Sequence, residues 1–132
     1  MCNEREKLIG YLYDEGDSSE RDAVRQHLET CAECRSEIGS LRSVREDLVA
    51  RKEMSEAVAR AMSELPEEQR IAILLKEFHG LTFQEIADQL DCPLSTVKTR
   101  LYQGLSVLRR RLERRQAEEA SLRRAHWEGS ST

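Results

Sequence analysis

Two apolar stripes at helical spacing, kept apart by a single Asp-Cys-Pro step, constrain this chain more than anything else in its sequence. Phe83, Ile86, Ala87 and Leu90 fall on one face of a short segment, and Val97, Leu101, Leu105, Leu108 and Leu112 on one face of a longer one. Pro93 cannot extend the first helix and disfavours helical geometry at Cys92, so the chain must turn there. Ser95 or Thr96 is then placed to cap the second helix. Ala87 is small enough for a close crossing, and the pair reads as a helix-turn-helix, which aims its second helix into a DNA major groove. Ser95, Thr96, Lys98, Thr99 and Arg100 lie off the Val97/Leu101 face and are the candidate DNA-binding residues. Lys98 and Arg100 offer donors to guanine edges or phosphates, and the hydroxyls offer short hydrogen bonds.

Composition sets the scale of what surrounds this unit. The chain has 132 residues, 35% of them charged and 5% aromatic, which favours small helical units over a large catalytic core. Charge is uneven: residues 94–124 hold nine Lys or Arg against three Glu, whereas residues 1–64 hold ten against fifteen Asp or Glu. One half can attract DNA and the other cannot. No apolar run approaches the ~20 residues of a membrane span, and the charged start lacks a signal peptide's apolar region, so a cytoplasmic protein without a membrane partner is expected. In that reducing compartment the four cysteines point to metal ligands or redox thiols rather than a disulfide framework.

The N-terminal half offers such a metal site. Leu8, Ile9, Leu12 and Tyr13 give a short first helix ending at Asp-Glu-Gly, and Asp17 with an acidic first turn starts a second through Ala23, Val24 and Leu28. His27, Cys31 and Cys34 follow at spacings of four and three, which bring three soft or borderline ligands together without a long loop, a set that zinc favours. The alternative is a CxxC of buried small residues or a redox pair, with His27 a simple face residue. From Arg35 to Glu64 helical spacing persists through Ile38, Leu41, Val44, Leu48, Val49, Met54, Val58, Ala61 and Met62, as two helices or a bent one. No Gly/Ser-rich linker separates the halves, so close coupling is expected. Leu65-Pro66-Glu67-Glu68 starts a further helix, carrying Ile71, Leu74, Leu75 and Phe78, which His79-Gly80 ends. Beyond Leu112 the arginine-rich stretch reads as helical, and the last residues from Trp127 as disordered.

Leu65 to Leu112, with LPEEQR, the GLTFQEIA run and PLSTVKTRL in order and without gaps, resembles region 4 of extracytoplasmic-function sigma factors, the domain that binds the minus-35 promoter element. Asp91 departs from the family's usual Gly, but Asp tolerates left-handed backbone, so the turn should survive. The N-terminal segment resembles the zinc-binding anti-sigma domain. That pattern includes a further Cys or His about 25 residues before the histidine, a place Cys2 occupies, so the resemblance implies a zinc site of Cys2, His27, Cys31 and Cys34. Nothing resembles region 2, so the chain is not expected to be a complete sigma factor.

These readings give an all-α fold: a small zinc-stapled helical domain followed by a helix-turn-helix four-helix-type domain. The expected division is 1–50 zinc-binding anti-sigma-like domain, 51–64 helical connector, 65–115 region 4-like domain, and 116–132 helical or disordered tail. The expected function is a DNA-binding transcription regulator that recognises minus-35-type promoter DNA under control of the zinc-binding domain. The alternative is an anti-sigma or adaptor protein that binds a sigma factor or RNA polymerase rather than DNA. Promoter DNA is the expected partner, with RNA polymerase or a sigma factor; a homodimer is left open. With no Ser/His/Asp set, no Gly-rich phosphate loop and a metal site fully ligated by protein, no enzyme is expected.

Overall fold

Capping chemistry marks several of the helix boundaries. The computed structural model describes residues 5–49 and 56–130. Among them the regular structure is entirely helical: α1 Arg5–Leu12, α2 Ser18–Thr30, α3 Ala32–Val49, α4 Glu56–Ser63, α5 Glu67–Ile73, α6 Phe83–Leu90 and α7 Leu94–Ser130. A π-helical turn, Leu74–Phe78, continues α5. The Asp17 carboxylate accepts from the Glu20 N–H at 2.8 Å and so caps α2. Thr82 and Glu85 form a reciprocal capping box at the start of α6. Hydrogen bonds from Thr82 hold the Glu85 carboxyl below the usual carboxylate range. Asp91 ends α6 in left-handed backbone, φ 52° and ψ 52°, so the turn survives without Gly.

α1 ends in the same way. Asp14 is left-handed (φ 56°), its N–H donates to the Tyr11 carbonyl at 3.1 Å, and the Glu15 N–H donates to the Gly10 carbonyl at 2.9 Å, a Schellman closure. Gly10 is needed because a Cβ there would stand 3.0 Å from the Glu15 carbonyl oxygen. The closure turns Glu15 back toward the C-terminal half.

α7 is the spine of the molecule: α1, α3, α4, α5 and α6 all pack against it. The apolar cluster is continuous, from Leu8, Ile9 and Val24 through Ile38, Leu41 and Val44 to Ile73, Phe83, Ile86, Leu101, Leu105 and Leu108. Each such fully buried side chain contributes about 1.5–3 kcal/mol of burial free energy. α5 crosses α7 at Gly104, where a Cβ would stand 2.8 Å from Ile73 Cδ1. Thus the described residues of both halves share one core.

Three details differ from the sequence reading. The Thr96 and Val97 N–H groups donate to the Pro93 carbonyl at 3.1 and 3.3 Å, so α7 starts at Leu94 and Ser95 and Thr96 lie inside its first turn instead of capping it. α7 also runs on to Ser130, through residues expected to be disordered, because its arginine- and glutamate-rich continuation contains no proline. The span 35–64 resolves into the rest of α3 and then α4, with Met54 outside the described residues.

Candidate zinc centre and nucleic-acid interface

The metal candidate is built at a helix break. Cys31 is extended (φ −109°, ψ 105°); its N–H still donates to the His27 carbonyl at 2.9 Å, and α3 begins at the next residue. His27 and Cys34 therefore approach from two helices rather than from one continuous face. Arg35 Nη1 donates to the carbonyls of Leu28 and Glu29, both at 3.0 Å, and so secures the break. His27 Nε2 lies 3.2 Å from Cys34 Sγ, and the ligand atoms of His27, Cys31 and Cys34 all fall within 4.8 Å of one another. Tetrahedral zinc with bonds of about 2.0–2.3 Å sets its ligands roughly 3.5–3.8 Å apart, so these three donors fit one ion with small rotations. Cys2 lies outside the described residues. Cys92 is not in the group.

The five candidate DNA contacts split by their position around α7. Ser95 and Thr99 are exposed, and Thr96 is half-buried. Lys98 turns toward α1: its Nζ lies 3.8 Å from where a Cβ on Gly10 would stand and 5.9 Å from the Phe83 ring centroid. Arg100 turns the other way, with Nε 3.9 Å from a Glu68 carboxylate oxygen. Gln103, which the sequence reading missed, is exposed. It stands four residues after Thr99 and eight after Ser95, on the same stripe of the helix. Extending the helical period past Arg100 would have found it.

Beside this stripe the acidic N-terminal half covers one flank of the helix-turn-helix. The Tyr102 hydroxyl donates to Glu37 Oε1 at 2.6 Å, and the Arg5 guanidinium stands 5.3 Å over its ring. Burial, then the hydrogen bond and charge of Glu37, push the Tyr102 phenol up to about 12. Arg45 Nε donates to Glu77 Oε1 at 2.7 Å, and the Tyr13 hydroxyl donates to the same oxygen. The Tyr13 ring meets Phe83 edge-on, centroids 5.5 Å apart. Glu15 reaches both the Lys76 ammonium and the Phe83 N–H. Spacing rules give no sign of these contacts, because their partners lie more than 30 residues apart.

Residues 55–108 match the family model of Sigma-70, region 4, and residues 2–35 match that of a zinc-finger family. Residues 55–108 are thus similar to a region 4 segment. The chain is similar to the ECF RNA polymerase sigma-E factors of Escherichia coli K12 and Salmonella typhimurium, each 38% identical over 63 residues, 48% of this chain and 33% of the relative. The RNA polymerase sigma-H factor of Pseudomonas aeruginosa is 32% identical over 68 residues, 52% of this chain and 35% of the relative. The chain thus spans about a third of the length of these relatives. No solved structure matches it. The region 4 segment contains α6, α7 as far as Leu108 and the whole Ser95–Gln103 stripe, and the zinc-finger match contains His27, Cys31 and Cys34. Among the described residues no helix is long and apolar enough to cross a membrane.

Proposed function

We propose that this chain is a cytoplasmic DNA-binding transcription regulator, not an enzyme, whose region 4 segment reads minus-35-type promoter DNA. The observation that carries this reading is the exposed Ser95–Thr99–Gln103 stripe on the second helix of the helix-turn-helix. Gln103 can pair with an adenine edge, the hydroxyls of Ser95, Thr96 and Thr99 reach bases or phosphates, and Lys98 and Arg100 flank the groove from either side. RNA polymerase is the partner that such a segment would address.

In this reading residues 1–50 form a zinc-held anti-sigma-like module, 51–64 connect it, 65–115 read DNA and 116–132 are a tail whose residues to Ser130 continue the last helix. His27, Cys31 and Cys34, with Cys2 as the fourth ligand, would hold zinc, and the bound ion would tie the N-terminus to the break between α2 and α3. A second reading is favoured by the packing of α1 and α3 on α7: an anti-sigma or adaptor protein that binds a sigma factor or RNA polymerase rather than DNA. Selection from a randomised duplex pool with the full chain separates the two. One enriched motif supports the DNA reader; no enrichment, with a sigma factor co-purifying instead, supports the adaptor.

A further inference from the structure

The Glu15 carboxylate sits at the start of α6, the first helix of the helix-turn-helix. One oxygen accepts the Phe83 N–H at 2.9 Å, at the first residue of α6, and the other pairs with Lys76 Nζ. The Lys76 side chain is only 7% exposed, and its Nζ also donates to the Leu81 carbonyl at 2.9 Å. Lys76 and Lys98 stand 4.5 and 5.9 Å from the Phe83 ring centroid, so both ammonium groups lie near the ring of the residue whose N–H Glu15 holds. The start of α6 adds the partial positive charge of its first turn, where Thr82 already caps the Glu85 N–H and the Glu85 carboxylate takes the Thr82 N–H. A buried cation and a helix N-terminal N–H, meeting on one carboxylate, make an oxyanion site.

In helix-turn-helix complexes the first helix crosses the DNA backbone while the second enters the groove, and helix N-termini are among the groups that contact phosphates. α6 is that first helix. We propose that the Lys76/Phe83 N–H site binds a backbone phosphate of the DNA read by α7, and that Glu15 occupies it in the free chain as an internal substitute for that phosphate. This rests on the reading of α7 as a DNA reader. Glu15 is carried on the α1 Schellman turn of the N-terminal half, so DNA and that half compete for one anion site. The exposed stripe stays open in both states, so the competition grades affinity instead of switching it off.

The test uses the full chain and its Glu15→Gln variant, which keeps the size of the side chain and removes its charge. Inorganic phosphate titrated into isotope-labelled protein should shift the Phe83 amide resonance saturably in Glu15→Gln and leave the parent unchanged. DNA binding should tighten roughly tenfold near 0.1 M salt, as expected for a gained charge-assisted contact, and the slope of log K against log salt should steepen by about 0.9. Adding Lys76→Met should abolish both gains. DNA binding by the variant without a Phe83 response, or with an unchanged salt slope, would overturn the anion site and leave the DNA reading standing. A Phe83 response with no DNA binding by either protein would instead overturn the DNA reading, and the identity of the ligand with it.

Discussion

Arg45→Ala should destabilise the chain more than Glu77→Ala, although the two residues share one ion pair. The Glu77 side chain is 3% exposed and the Arg45 side chain 29%. Removing Arg45 strands a carboxylate that cannot reach water and keeps only the Tyr13 hydroxyl, so the loss should be about 3–5 kcal/mol, the range for breaking a buried pair. Removing Glu77 leaves a guanidinium that can swing into solvent and a Tyr13 hydroxyl without its acceptor, for a loss of about 1–3 kcal/mol. The double variant should cost less than the sum of the two, because the stranded carboxylate is then absent. Urea denaturation followed by helical circular dichroism gives all three values. Equal losses below about 0.5 kcal/mol, or a larger loss for Glu77→Ala, would refute the burial argument. The pair joins α3 to the π-helical turn, so the same experiment measures how firmly the two halves are held together.

Other parts of the account make their own demands. Metal analysis should find about one zinc per chain, lost in Cys31→Ser and kept in Cys92→Ser; the reverse pattern would move the site. Gly104→Ala should overpack against Ile73 at a cost of about 1–3 kcal/mol, offset by about 1 kcal/mol of helix propensity, so a net gain in stability would contradict the close crossing. The folded chain keeps the Tyr102 proton up to about pH 12, whereas the unfolded chain releases it near 10. The stability this gives is therefore complete below about pH 10 and is lost as pH rises toward 12. The advantage of the parent over Tyr102→Phe should narrow across that window, and a constant difference would exclude the Glu37 hydrogen bond as its source.

Local chemistry was legible and long-range chemistry was not. The two apolar stripes located α6 and α7, and the left-handed tolerance of Asp91 was enough to expect the turn. The spacing of His27, Cys31 and Cys34 brought them together: the helical bond from the Cys31 N–H to the His27 carbonyl is kept, and the break at Cys31 carries Cys34 in from α3. Ser95 and Thr96 resembled caps because hydroxyls favour that role, but the Pro93 carbonyl starts the helix before them. Glu15 read as an ordinary acid at a helix end. Its role depends on Lys76 and Phe83, more than sixty residues away. The π-helical turn had no sequence signal either. Two of its side chains, Lys76 and Glu77, are drawn toward Glu15, Tyr13 and Arg45, all of them in the N-terminal half. Lys98 and Arg100 were correctly placed off the apolar stripe, but only the neighbouring helices show that they flank the exposed face while Gln103 lies on it.

Fluorescence anisotropy on the duplex enriched from the random pool, comparing the parent with Thr99→Ala/Gln103→Ala, tests the exposed stripe most directly. Neither side chain contributes to the core, so helical content and melting should be unchanged. Affinity should fall by about 1–3 kcal/mol per lost base contact, with little change in salt slope. An intact, fully folded double variant that binds the same duplex as tightly as the parent would show that this face of α7 does not read DNA.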